Sequence, residues 1–225
     1  MKGKIIEING LDCSFKETNT KKLEEYIKNN ITEKVKLVSF PNYNSESSYF
    51  IKKYLSGTYK DLTQKNISLF YALDRFDTVK ELHIKELVED GYYIIFDRYT
   101  GSNALYQTCN MNSNYDKLNY LIWLYELEET YLQLPKSDIQ ILLLNHPDII
   151  YSLLSKRESK SVSNDIIEND KEIMYKIYNN ANFISDTLRW ETVKCFNEYS
   201  NGVISKSKDE IFKNILEILY KYEII

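Results

Sequence analysis

At 225 residues the chain has the length of a single large α/β domain with room for a mobile insert. Charged residues at 28% and the hydrophobic set at 43% exclude a disordered or membrane-embedded class. A formal net charge of −4 and a pI near 5.4 argue against broad contact with a nucleic-acid backbone, which needs clustered Lys and Arg, but leave small phosphates open.

Lys4 to Ile8 is a β-branched run closed by Asn9-Gly10, and Thr18 to Asn30 follows with Leu23, Tyr26 and Ile27 at helical spacing. The apolar start is too short for a signal peptide or a spanning helix. Val35 to Phe40 is the next strand, stopped by Pro41, and Ser47 to Leu55 is helical with Gly57 beyond its end. Asn66 to Asp90 carries Leu69, Phe70, Leu73, Phe76, Val79, Leu82 and Leu87 at helical period and reads as one long helix feeding the strand Tyr92 to Phe96. Tyr115 to Leu132 is a second long amphipathic helix, Asp138 to Leu144 a strand, and Pro147 opens another helix. Residues 156–170 turn polar and read as a lid before helical spacing resumes at Ile173, Ile177, Ala181 and Ile184. Thr192 to Cys195 is a short edge strand, and Glu210 to Tyr222 is the closing helix.

Strands alternating with helices predict a parallel sheet of about five strands with helices on both faces, in three layers. Ligands of such sheets bind beyond the carboxyl ends of the strands. Cys13, Cys109 and Cys195 show no metal or disulfide spacing and read as reduced thiols. His83 and His146 show no ligand pattern and receive no catalytic role.

Gly10-Leu11-Asp12-Cys13-Ser14-Phe15-Lys16-Glu17 has the place and spacing of G-x-x-x-x-G-K-S/T between the first strand and the first helix. Gly10 allows the tight turn, backbone N–H groups and the helix N-terminus face an anion, and Lys16 reaches terminal phosphates. Phe15 replaces the second glycine and is expected to strain the backbone and crowd a phosphate. Glu17 replaces the hydroxyl residue, and its carboxylate would either repel phosphate or hold a metal. An ordinary strand-to-helix turn containing a lysine is the competing reading of this octapeptide.

Ile95-Phe96-Asp97-Arg98-Tyr99 ends a buried strand and precedes Ser102 and Tyr106-Gln107. With the loop, this set resembles thymidylate kinases, which carry D-R-Y/F/H at that strand end and then a serine and a Y-Q pair. Phe40-Pro41-Asn42-Tyr43 is similar to the family's F-P segment, and Tyr71-Ala72-Leu73-Asp74-Arg75 to its F-x-x-D-R helix segment. Leu134-Pro135-Lys136-Ser137-Asp138 is similar to its L-P-x-P-D lead-in to the fourth strand. The nearest loop resemblance is to a branch among low-GC bacteria reading G-T-D-S-S-G-K-E-T-Q-T. That comparison makes Glu17 a branch feature and leaves Cys13, Phe15 and Asn19 as departures, with Asn145 where the family usually has aspartate.

The resemblance implies a P-loop NTPase-type fold, one domain over 1–225 with a lid at 156–170, and transfer of the ATP γ-phosphate to thymidine 5′-monophosphate (dTMP) to give dTDP. It implies Arg98, Lys16 and Asp97 as the catalytic set, with Arg98 bridging donor and acceptor phosphates. Gly10, Asp12, Cys13, Ser14, Phe15, Lys16, Glu17 and Thr18 would hold ATP, with Arg157 of the basic lid group Lys156, Arg157 and Lys160. Asp12, Phe40, Pro41, Tyr43, Tyr71, Arg75, Arg98, Ser102, Tyr106 and Gln107 would hold dTMP, Tyr71 stacking on the base and Arg75 on the acceptor phosphate. Mg2+ would accompany ATP, held through water by Asp97 and Glu17. The resemblance further implies a cytoplasmic homodimer acting on nucleotides, with no nucleic-acid or membrane partner. Blander readings stand beside these: Asp97-Arg98 as a structural ion pair, Tyr71 as a core aromatic, Asp12 as a loop aspartate, the lid lysines as a solvated loop. Two other functions stay open, a nucleotide-binding pseudokinase with a defective ATP site at Phe15 and Glu17, and a kinase for another nucleotide or nucleoside.

Overall fold

Ile5–Gly10 forms β1, buried at every residue because it lies at the centre of the sheet, covered on both faces. The computed structural model describes residues 2–11, 13–155, 171–200 and 202–225. The segment 156–170 expected as a lid, with Lys156, Arg157 and Lys160, and Asp12 of the loop lie outside the described residues. Parallel partners of β1 are β3 (Tyr93–Asp97) on one side and β4 (Ile139–Leu144) on the other. With β2 (Val35–Ser39) and β5 (Glu191–Lys194) at the edges, the order is β2-β3-β1-β4-β5, five parallel strands among the described residues.

Helices cover both faces. Ile6, Ile8 and Leu143 pack on one side against Leu23 and Ile27 of α1 (Lys16–Asn30) and Ile211, Ile215 and Leu219 of α9, Lys208–Lys221. Leu142 and Leu144 face α5 (Thr100–Gln107), α6 (Asn114–Tyr125) and α8 (Lys171–Leu188) on the other. The same face is completed by Ile5, Ile94 and Phe96 against Val79 of α3 (Gln64–Glu81) and Ile84 and Val88 of α4 (Ile84–Glu89). Short helices α2 (Tyr49–Leu55) and α7 (Pro147–Ser155) complete the helical layers.

The helix expected over 66–90 is two helices. His83 takes a left-handed φ of 51°, which breaks the hydrogen-bond ladder and lets α4 place Ile84 and Val88 in the same cluster as Val79. The second long helix continues past α6 as a wider π-helical turn, Glu126–Tyr131. Two elements escape the periodicity argument: α5, and the antiparallel hairpin β6 (Phe196–Tyr199) and β7 (Gly202–Ser205). Among the described residues no helix is long and apolar enough to cross a membrane.

Candidate active site at the carboxyl edge of the sheet

Gly10 ends β1 where a Cβ would lie 2.4 Å from the Leu143 carbonyl oxygen, so a side chain there would push β1 off β4. The turn then passes through Cys13 and Phe15, with left-handed φ values of 53° and 63°, before α1 starts at Lys16. Phe15 therefore adopts the backbone conformation that glycine takes most easily, at a cost of about 1 kcal/mol. Its half-buried ring packs against the core cluster that the sheet forms with α1 and α9, where burial accommodates the expected bulk.

Within the turn the cation is gathered in. Lys16 Nζ donates to the Leu11 carbonyl at 2.5 Å and to Ser14 Oγ at 3.4 Å, while the Ser14 hydroxyl donates to the same carbonyl at 2.7 Å. The buried Asn145 amide, at the end of β4, donates to the Cys13 carbonyl at 3.0 Å and accepts from the His146 N–H at 3.0 Å. A carboxylate at 145 could not make the first of these bonds, so the asparagine itself clamps the loop. Glu17 accepts from Lys21 at 2.6 Å one helical turn on, and that bond, with the Glu17 charge, raises the Lys21 pKa. Both side chains are mostly exposed, so water screens the Glu17 charge beside the loop. Thr18 is half-buried in the first turn of α1.

β3 ends at Asp97, half-buried and in register with Ile8 and Ser39. Arg98 is left-handed, with φ of 66°, and its N–H donates to the Ile8 carbonyl at 2.9 Å. Strain of this sort in a bulky residue persists only where its surroundings enforce it. Its Nη1 donates to the Gly10 carbonyl at 3.1 Å and to the Tyr106 hydroxyl at 3.2 Å, with the guanidinium 5.4 Å from the Tyr106 ring centroid. Lys16 and Arg98 thus place their charges on consecutive carbonyls of one turn, Leu11 and Gly10.

The expected acceptor residues divide. Phe40, at a cis Phe40–Pro41 peptide, is buried against Phe96 and Tyr99 at centroid distances of 5.5 and 5.7 Å, as a core residue. Asn42, next in the segment, donates its N–H to Asp74 Oδ2 at 2.9 Å, and Ser47 Oγ donates to Oδ1 at 2.9 Å, so α3 holds the F-P segment. Burial outweighs these bonds and raises the Asp74 pKa. Tyr43 is about half exposed, and Tyr71 is half-buried one turn before Arg75 on α3. Arg75, expected at the acceptor phosphate, is 2% exposed, and its Nε donates to Glu128 Oε2 at 2.8 Å while Nη2 bonds Oε1. Burial works against its charge and the Glu128 carboxylate more than compensates, raising its pKa. Gln107 is buried.

Beneath the site lies a polar network that sequence reasoning missed. Glu7, fully buried in β1, accepts from Asn9 Nδ2 and the Gly101 N–H at 2.8 Å, and from Ser137 Oγ and Gln140 Nε2 at 2.7 Å. Asn9 Oδ1 in turn accepts from Ser102 Oγ at 2.9 Å. Gly101 fits because a Cβ would lie 2.5 Å from Asn9 Nδ2 and 2.7 Å from Glu7 Oε1. These bonds fix the start of α5 and hence the segment joining Arg98 to Tyr106. The available signal was a glutamate inside an otherwise apolar central strand, which must be partnered where it is buried.

A family model described as thymidylate kinase matches residues 8–201. A thymidylate kinase of Caldicellulosiruptor saccharolyticus is 28% identical over 222 residues, 98% of this chain and 100% of that one. Another, of Plasmodium falciparum, is 37% identical over 113 residues, 50% of this chain and 52% of its own, so the match spans about half the length of that relative. Among solved structures, the thymidylate kinase of Candida albicans aligns with a TM-score of 0.73 at 22% identity, covering 99% of this chain and 93% of that one, a likeness of fold. With the family match running from β1 to the β6–β7 hairpin, and the loop and strand end meeting at one sheet edge, the chain belongs to the thymidylate kinase family.

Proposed function

We propose that the protein transfers the γ-phosphoryl group of ATP to dTMP, giving dTDP and ADP. The observation that carries this reading is the convergence of Lys16 and Arg98 on consecutive carbonyls of the Gly10 turn. An oxygen of the acceptor phosphate attacks the γ-phosphorus, the bond to the β,γ-bridging oxygen breaks, and ADP leaves with that electron pair. Charge on the transferred group is spread over its equatorial oxygens, so catalysis depends on in-line positioning and on cations already in place. With nucleotides bound, Lys16 at the start of α1 would turn from the Leu11 carbonyl to the terminal donor phosphates, and Arg98, whose fork can donate two bonds, would reach both nucleotides.

Magnesium fits as an ion that arrives with ATP, because it is held largely by phosphates and water and needs one or two protein carboxylates. Asp97, half-buried at the strand end, and Glu17, which also accepts from Lys21 at the surface, would hold it through water. When bound, the ion supplies charge neutralisation on the phosphate oxygens. The pseudokinase alternative needs Phe15 and Glu17 to spoil the donor site, Phe15 above all by distorting the loop. The left-handed backbone of Phe15 and the packing of its ring against the core cluster of the sheet, α1 and α9 favour a working loop instead.

The same reading makes the chain one domain over 1–225 with a lid at 156–170, acting on nucleotides in the cytoplasm without nucleic-acid or membrane partners. A homodimer is supported by exposed Leu69 and Leu73 on α3 and Leu118 and Ile122 on α6, helices whose inner faces meet at Ser68 and Tyr120. A panel of nucleoside monophosphates with ATP and magnesium, read by coupled diphosphate release, tests the function. Turnover of dTMP well above the other acceptors is expected. No turnover of any acceptor at high enzyme concentration would overturn it, and preference for another base would replace the acceptor.

A further inference from the structure

Glu128 lies in the π-helical turn after α6, is fully buried, and plays no part in the phosphoryl transfer described above. Its two oxygens take the Nε/Nη2 edge of Arg75, and Oε2 also accepts from Thr100 Oγ1 at 2.7 Å. Its backbone carbonyl accepts from the Leu134 N–H at 2.8 Å, which pins the turn to the lead-in of β4. Thr100 opens α5 two residues after Arg98, so one carboxylate joins the α3 arginine to the strand-end arginine.

A buried ion pair is a weak source of net stability, since an apolar pair of matching shape commonly does as well. Leu121 and Leu124 precede Glu128 on the same buried stripe, so a leucine there would match the pattern. What the carboxylate adds is direction. Holding Nε and Nη2 fixes the guanidinium plane and leaves the Nη1 edge as the one turned away from Glu128.

We infer that Glu128 is a positioning residue of the acceptor site, which sets the plane of Arg75 and, through Thr100, couples it to the segment carrying Arg98. The inference rests on the proposed function, because it takes Arg75 as a dTMP contact. Glu128→Gln keeps the volume and removes the charge, placing an amide N–H against an arginine N–H. Wild type and variant are compared by circular dichroism and by steady-state kinetics with each substrate varied in turn. The KM for dTMP is expected to rise about tenfold or more while that for ATP stays within about twofold. If Glu128→Gln fails to fold, Thr100→Val decides, with an expected rise of about threefold in the dTMP KM alone. An active wild type whose folded variants keep the dTMP KM within about twofold, or lose both substrates equally, overturns the inference and leaves the function standing. A wild type that neither binds nor phosphorylates dTMP overturns both.

Discussion

Replacing Phe15 separates two opposed effects that the structure assigns to one residue. The left-handed backbone costs a side chain about 1 kcal/mol, which Phe15→Gly would recover. Truncating a fully buried phenylalanine costs about 3–5 kcal/mol, so a half-buried ring against the cluster of the sheet, α1 and α9 is worth about 2 kcal/mol. Phe15→Gly is then expected to lose about 1 kcal/mol, and Phe15→Ala, which loses the ring and keeps the strain, about 2 kcal/mol. Glycine should therefore be more stable than alanine by about 1 kcal/mol, or roughly 2–4 °C in Tm for a chain of this size. In a helix interior the order is reversed. Thermal unfolding of the three proteins by far-UV circular dichroism checks the order, and alanine equal to or above glycine would refute the left-handed assignment. Activity supplies an independent reading. The kcat of Phe15→Gly should lie within about threefold of wild type or below it, and a rise of about tenfold or more would show that the ring obstructs the donor site.

Arg98→Lys keeps the charge but loses the planar fork, and kcat should fall about 10²–10³-fold with little change in Tm; a loss under about threefold would remove Arg98 from the catalytic set. Burial raises the Asp74 pKa, so the folded protein binds that proton more tightly than the unfolded chain, and this contribution to stability falls as pH rises from the ordinary carboxylate range through the raised value. Asp74→Asn should accordingly gain in Tm relative to wild type as pH rises above the ordinary carboxylate range, and a flat difference would contradict the assignment. Burial pushes the thiols of Cys109 and Cys195 up to about 11 and about 12, so both should react slowly with a disulfide reagent near pH 7 until the protein is denatured. Fast labelling of either in the folded protein would place it at the surface. Ile122→Glu puts a charge on the exposed α6 stripe and should convert the proposed dimer to monomer in sedimentation; an unchanged dimer would move the interface elsewhere, and a monomeric wild type would refute the dimer.

Much of the fold was legible because it repeats locally. The apolar run into Asn9-Gly10, the Lys16 spacing and the Asp97-Arg98 pair at the end of a buried strand are contiguous signals, and β1 and β3 fall close to their expected positions. The break at His83 left no signal of its own, because the apolar period runs on from α3 through α4. Nor was α5 legible: Thr100, Gly101, Ser102 and Asn103 are poor helix formers. They are held there by bonds to Glu128, Glu7 and Asn9, and by the Asn103 amide donating to the Ser68 carbonyl at 3.3 Å.

Side-chain partners divide along the same line. That the Gly10 loop and the Arg98 strand end occupy one edge follows from parallel strands joined by helices, a consequence of sequence order and period. Periodicity says nothing of where a given head group ends. The ring of Phe15 joins a cluster completed by α9, and Arg75 meets a carboxylate 53 residues away, because packing between distant elements sets which buried polar and aromatic groups can be matched. The amino-acid order by itself thus determined the alternating architecture and the edge that carries the site. Tertiary packing alone decided that an anomalous phenylalanine could stand in a glycine's conformation and which carboxylate orients the α3 arginine.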